Sequence, residues 1–200
     1  MSYKKTKKIK QEGRVKNMPK NIYERLKKGK VSTYSHKHYR FKRHSECRFC
    51  DIVHEQKEKI IFENDHIVVV FGRLHHKGHL VILTRTHEEH LMLMHEDTVD
   101  AFFNDTIHVC KALHSATKFD RLNMEYLDNW DPHIHWNIYP RFKADKDWGN
   151  PPEIPAREQK FKEQKMTKKE MNMFLKELKK RLPQGMTNSS FMKSNQNMIK

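Results

Sequence analysis

The stretch His133-Ile134-His135-Trp136-Asn137-Ile138-Tyr139-Pro140-Arg141 alternates polar, metal-capable or nucleophilic side chains with bulky apolar ones. An extended strand turns successive side chains to opposite faces, so His133, His135 and Asn137 fall on one face and Ile134, Trp136 and Ile138 on the other. The apolar face packs and the imidazole face is available for chemistry. Two imidazoles and an amide on one ledge can grip a phosphate, hold a metal or supply a nitrogen nucleophile. A half-buried strand with incidental histidines would carry the same pattern in a chain with 15 of them, so the surrounding sequence has to decide.

Working outward, Leu122 to Leu127 reads as a strand paired with His133 to Tyr139, and Pro132 stiffens the turn between them. His79-Leu80-Val81-Ile82-Leu83-Thr84 is a nearly continuous apolar run, predicted to lie in mid-sheet and to be buried on both faces. Lys59 to Phe62 and His66 to Phe71 form a hairpin around Glu63-Asn64-Asp65, where Asn and Asp favour reversal. Val99, Phe102, Phe103, Thr106, Cys110 and Leu113 fall at helical spacing, which predicts a long helix from about Asp97 to Phe119 capped by Asp97, with Cys110 as a small core hydrophobe. Residues 140–165 are Pro- and charge-rich and read as a surface loop anchored by Trp148. Thr167-Lys168-Lys169-Glu170 has capping-box spacing, and Met171, Phe174, Leu175, Leu178 and Leu182 line one helix face before Pro183 and Gly185 stop it. There is no internal repeat.

The 200 residues suit one domain with appendages: a basic, largely flexible extension over 1–44, the main body over 45–152, a loop and amphipathic helix over 153–185, and a flexible tail over 186–200. No apolar run reaches the roughly 18–20 residues of a membrane helix, and the basic start lacks the apolar stretch of a secretory signal. The expectation is a soluble, cytoplasmic protein without a membrane span. Three cysteines, two of them three positions apart, argue against a disulfide framework and for a reducing compartment. The formal charge of +15 is uneven: residues 1–44 hold 16 Lys and Arg against Glu12 and Glu24, leaving 24 against 23 acidic residues elsewhere. Such an extension can bind RNA, DNA or an anionic surface through phosphate contacts, and Tyr34, Tyr39 and Phe41 would permit base stacking. A solubilising extension has the same composition.

Cys47-Arg48-Phe49-Cys50 is half of a tetrahedral zinc site. Two more ligands must come from elsewhere, with His87 and His133 as candidates; a dithiol without metal has the same spacing. Taken with its neighbours, this motif gives the chain a recognisable outline. Cys47 to Ile52, Phe62-Glu63-Asn64-Asp65, Gly78-His79-Leu80-Val81-Ile82 with His87 after it, Asn129, Pro132-His133-Ile134-His135-Trp136, Pro140-Arg141 and Trp148-Gly149-Asn150-Pro151 occur in the order and spacing of a known family. From Cys47 to Pro152 the chain resembles the histidine triad (HIT) superfamily of nucleotide hydrolases and transferases, and in particular its bacterial members.

The resemblance implies an α+β HIT-like fold, an antiparallel sheet of about five strands packed with one long and one or two shorter helices. It implies that His135 attacks an α-phosphorus and carries a nucleotidyl-imidazole intermediate. It also implies that Cys47, Cys50, His87 and His133 hold a structural zinc ion, with no coordination position left open for substrate. The third triad position carries Asn137 where the family usually has histidine; an amide donates a hydrogen bond but carries no proton. Galactose-1-phosphate uridylyltransferases have a similar amide there. Arg73 and Thr84 are further departures, at a ribose-recognition position and at a usual proline. Asn129 and Asn137 are the expected phosphate donors, and Phe49, Ile52 and Phe62 frame an apolar slot for a purine. The expected function is hydrolysis or nucleotidyl transfer at the α-phosphate of a purine nucleotide, with nucleotide as substrate and a homodimer formed through the long helix and a neighbouring strand. The competing reading is a catalytically weak nucleotide- or nucleic-acid-binding protein with a zinc-braced body and a basic tail.

Overall fold

The computed structural model describes residues 47–156 and 158–182; the basic extension expected over 1–44 and the tail expected from 186 lie outside them. Helix α1 (Arg48–His54) leads through a short 3-10 turn (Lys57–Lys59) into strands β1 (Ile60–Glu63) and β2 (Ile67–Phe71). The hairpin turn forms because Asn64 Oδ1 accepts from the backbone N–H of both His66 and Ile67 at 2.9 Å, the local device that makes Asn a turn residue. Strand β3 (Leu80–Thr84) follows, then helix α2 (Glu96–Thr117), strands β4 (Arg121–Glu125) and β5 (His135–Arg141), and helix α3 (Lys168–Arg181). The strands make one antiparallel sheet in the order β1-β2-β3-β5-β4. This is the α+β class that the resemblance implied.

Central strand β3 is buried along its whole length. Leu80 and Ile82 join the core shared with Phe102, Val109 and Leu113 of α2 and Phe174 and Leu178 of α3, whereas Val81 and Leu83 join Phe49, Cys50 and Val53 of α1. Two hydrophobic layers therefore sandwich the sheet, and a run with no polar alternation is the sequence form of a strand covered on both sides. Cys110 lies in the α2 layer, where burial pushes its thiol up to about 12.

Some boundaries differ from the sequence expectation. Helix α2 starts at Glu96, and His95 rather than Asp97 caps it: His95 Nδ1 accepts from the Asp97 N–H. Strand β5 begins at His135 and continues to Arg141, so His133 and Ile134 enter it as irregular chain. Trp148 is 37% exposed and does not anchor its loop. Arg141 does: its guanidinium donates to Asp145 Oδ2, Asn123 Oδ1 and the carbonyl of Asn150, and to the carbonyl and Oδ1 of Asp147. The capping box of α3 forms as the sequence predicts, with Glu170 also reaching Lys77 at 2.6 Å to tie the helix to the loop before β3.

Candidate active site and metal centre

Alternation along β5 sends Ile134, Trp136 and Ile138 into the α2 layer. His135, Asn137 and Tyr139 consequently face the α1 side. Although His133 precedes the strand, its ring is turned to that side as well, with Phe49 of α1 edge-on to it at 5.9 Å and tilted over His135 at 4.8 Å.

The chain entering β5 is clamped from three sides. Ile134 N–H donates to the carbonyl of Glu88, Thr84 N–H donates to the carbonyl of Ile134, and Asp131 takes a two-pronged grip from Arg48 at 2.6 and 2.7 Å. His133 Nε2–H donates to the Thr84 carbonyl at 2.8 Å. That bond leaves the Nδ1 lone pair of His133 pointing at sulfur: Nδ1 is 3.5 Å from Cys47 Sγ and 3.8 Å from Cys50 Sγ. His87 Nδ1 lies 3.3 Å from Cys50 Sγ. All four residues are buried and their ligand atoms lie within 4.8 Å of one another. A tetrahedral zinc with usual bond lengths has sulfur–nitrogen edges of about 3.5 Å. The donor set and its spacing therefore fit that ion, and a carbonyl partner fixing the tautomer of a ligating histidine is the usual supporting contact. The Cys47 thiol is held far below its ordinary value of 9.0, first by the hydrogen bond from Cys50, then against burial by His133 and His87. A thiolate is the form that binds metal.

His135 is 8% exposed, and its Nδ1–H donates to the carbonyl of His133 at 2.8 Å. The remaining nitrogen, Nε2, carries the lone pair. Burial holds the imidazole below its ordinary 6.5, opposed by that backbone bond. Two residues on, Asn137 Oδ1 accepts from His79 Nε2–H at 3.4 Å, which turns its NH2 group away from His79. The His79 ring is stacked on Tyr139 at 4.3 Å and lies against Gly72, where a Cβ would come within 2.2 Å of it. Only glycine leaves room for that ring. His79 and its neighbour His75 are kept neutral by burial, their values pushed down to about 3 and about 4.

The remaining expected site residues separate. Ile52 packs against the α1 layer beside Phe49, whereas Phe62 is buried in the α2 layer. Asn129 is exposed in the turn between β4 and β5. The residue directly opposite Asn137 is Glu125, which sequence reasoning missed. His79 was also missed as a site residue; its signal was the two-residue step from Val81 and Leu83, which puts all three on one face.

The molecule is similar to several solved structures. One is a histidine triad protein from Bradyrhizobium japonicum, with a TM-score of 0.50 and 20% identity over 64% of this chain and 95% of that one. Others are a Zn-bound histidine triad family protein from Mycobacterium smegmatis, with a TM-score of 0.46 and 20% identity over 68% of this chain and 94% of that one, and a HIT family member from Bacillus subtilis, with a TM-score of 0.49 and 18% identity over 70% and 99%. No family model and no curated protein matches the chain. The sheet order, the long helix and the superposition on the Bradyrhizobium protein define the class: this chain has the histidine triad fold. At such identities the likeness is one of fold, and the activity has to be argued from the residues.

Proposed function

We propose that the protein cleaves a phosphoanhydride or phosphoramidate at the α-phosphate of a nucleotide, a purine nucleotide by preference, through a nucleotidyl-His135 intermediate that water or another acceptor resolves. The observation that carries this reading is the His135 tautomer. With Nδ1–H bound to the His133 carbonyl, Nε2 is the nucleophilic nitrogen, and a displacement split in two lets a weak attacker such as water meet an activated phosphorus. The Asn137 NH2 supplies a donor to the phosphoryl oxygens as charge shifts during in-line displacement. Phe49 and Ile52 give the apolar wall for a base. Asn129, exposed in its turn, reaches a phosphate only as part of an outer rim.

Cys47, Cys50, His87 and His133 would hold a structural zinc ion, which when bound ties α1 to the entry of β5 and leaves no open position for a substrate. We also propose a homodimer, because α2 leaves Phe103 36% and Ile107 39% exposed and β4 is an edge strand. The setting proposed is the cytoplasm, consistent with three buried cysteines that form no disulfide among the described residues; no described helix is long and apolar enough to cross a membrane. The basic extension, outside the described residues, is proposed to hold an RNA or DNA phosphate backbone.

Incubation with radiolabelled dinucleoside polyphosphate or nucleoside phosphoramidate should give an acid-labile, base-stable nucleotidyl adduct that disappears in His135→Ala, with turnover down by about 10⁴ or more. Asn137, which cannot carry a proton, favours the second reading, a nucleotide-binding protein of little activity. Nucleotide binding by the wild type with neither adduct nor turnover would decide for it.

A further inference from the structure

Strand β4 brings to the nucleophile's side of the sheet a carboxyl group that the histidine motif does not contain. Leu122, Met124 and Tyr126 pack into the α2 layer, so Asn123 and Glu125 point the other way. Asn123 confirms the direction by accepting from Arg141 at 2.7 Å. Glu125 pairs with Asn137. Residues directly opposite in an antiparallel pair have Cα atoms about 4.5–5.5 Å apart, and a diagonal neighbour such as His135 is about 7–8 Å away. A phosphoryl group seated between His135 and the Asn137 amide is thus within reach of the Glu125 side chain.

This carboxyl group is not placed like the structural ones. Glu63 holds Lys57 and Arg85, Asp131 holds Arg48, and Asp147 holds Arg141. Glu125 Oε2 is closed off from solvent and has no hydrogen-bond partner among the described residues. The cation nearest in effect is Arg141, whose donors are engaged by Asp145, Asn123, Asn150 and Asp147. Arg141 and Tyr139, both on β5, are the ionisable groups that act on it; burial raises its carboxyl above the ordinary 4.5, with Arg141 opposing. Asn137 cannot deliver a proton, and two further imidazoles on this side, His75 and His79, are held neutral by burial.

We propose that Glu125 is the proton carrier for the chemistry at His135, giving a proton to the leaving group and then taking one from the attacking water. This rests on the nucleotidyl-His135 reading above. In the first step on a phosphoramidate, His135 Nε2 forms a bond to phosphorus, the bond from phosphorus to the leaving nitrogen breaks, and that nitrogen departs as the amine with the proton from Glu125. In the second step water attacks phosphorus and gives its proton to the Glu125 carboxylate, and the phosphorus–Nε2 bond breaks with its electron pair returning to the imidazole. Glu125 ends protonated and His135 neutral, as both began.

The test compares first-turnover release from two adenosine 5′-monophosphate derivatives in the full-length protein: an alkylamine phosphoramidate, whose leaving group must be protonated, and the p-nitrophenyl ester, whose leaving group is stable as an anion. Glu125→Gln should slow the first by about 10²–10⁴ and the second by less than about tenfold. With the ester the adduct should accumulate, because its formation is nearly unaffected while water has lost its base. Glu125→Asp should restore part of the phosphoramidate rate. Equal losses on both substrates, or no loss on the phosphoramidate, overturn the role of Glu125 and leave the nucleotidyl reading intact. A wild-type chain that forms no adduct with either substrate overturns both.

Discussion

The two faces of β5 are built on different terms. On the α2 side, Ile134, Trp136 and Ile138 meet Phe102, Leu113 and their neighbours, and the free energy comes from non-directional burial that tolerates exchange of one apolar side chain for another of similar volume. On the α1 side, each polar group is set by particular hydrogen-bond partners: His133 by the Thr84 carbonyl, Asn137 by His79, and Arg141 by Asp145 and Asp147. A face of the first kind sets where the strand lies. The second kind sets which atom of each side chain points outward, and chemistry depends on that.

Metal removal should separate the faces most. Metal analysis of the purified protein should find about one zinc per chain. Cys50→Ser should lower that to under a tenth and the melting temperature by about 10 °C or more. Full stability without metal would show that the α1 side holds itself together as the α2 side does. Next in size, Leu113→Ala in the α2 layer should cost about 2–5 kcal/mol in denaturant unfolding, with adduct formation per folded molecule unchanged. Adduct chemistry lost in proportion to stability would mean that the two faces are not separable.

The smallest effect concerns pH. His75 and His79 stay neutral in the folded chain down to about 4 and about 3, while in the unfolded chain they take up protons near 6.5. The unfolded state therefore binds more protons in that window, and stability is intact above it and declines as pH falls from 6.5 towards 4. Both His75 ring nitrogens are buried without a hydrogen-bond partner, so His75→Leu should flatten the fall in melting temperature over that range. An unchanged slope would remove His75 from the account.

The elements were legible where one local rule governed them. The capping box at Thr167 and the Asx turn at Asn64 are decided within three residues, and the apolar run of β3 could only be a doubly covered strand. The Cys47 and Cys50 spacing, with His87 and His133 as candidate partners, named the four residues that the fold gathers. Phe62 lies in the α2 layer, apart from Phe49 and Ile52, where the pairing between Ile60 and Phe62 is irregular and strict alternation does not assign a face. Glu125 was not legible for a related reason: proximity along the chain, the cue that pointed to Asn129 beside Pro132, is not proximity in the sheet.

By itself, the sequence determined the elements, the two-sided burial of β3 and the chemical kinds of group on β5, since alternation and capping act over a few residues. Strand register, which sets Glu125 beside Asn137, was decided only in the tertiary structure. So were the tautomers of His133 and His135, because each depends on a carbonyl that the folded backbone carries to it.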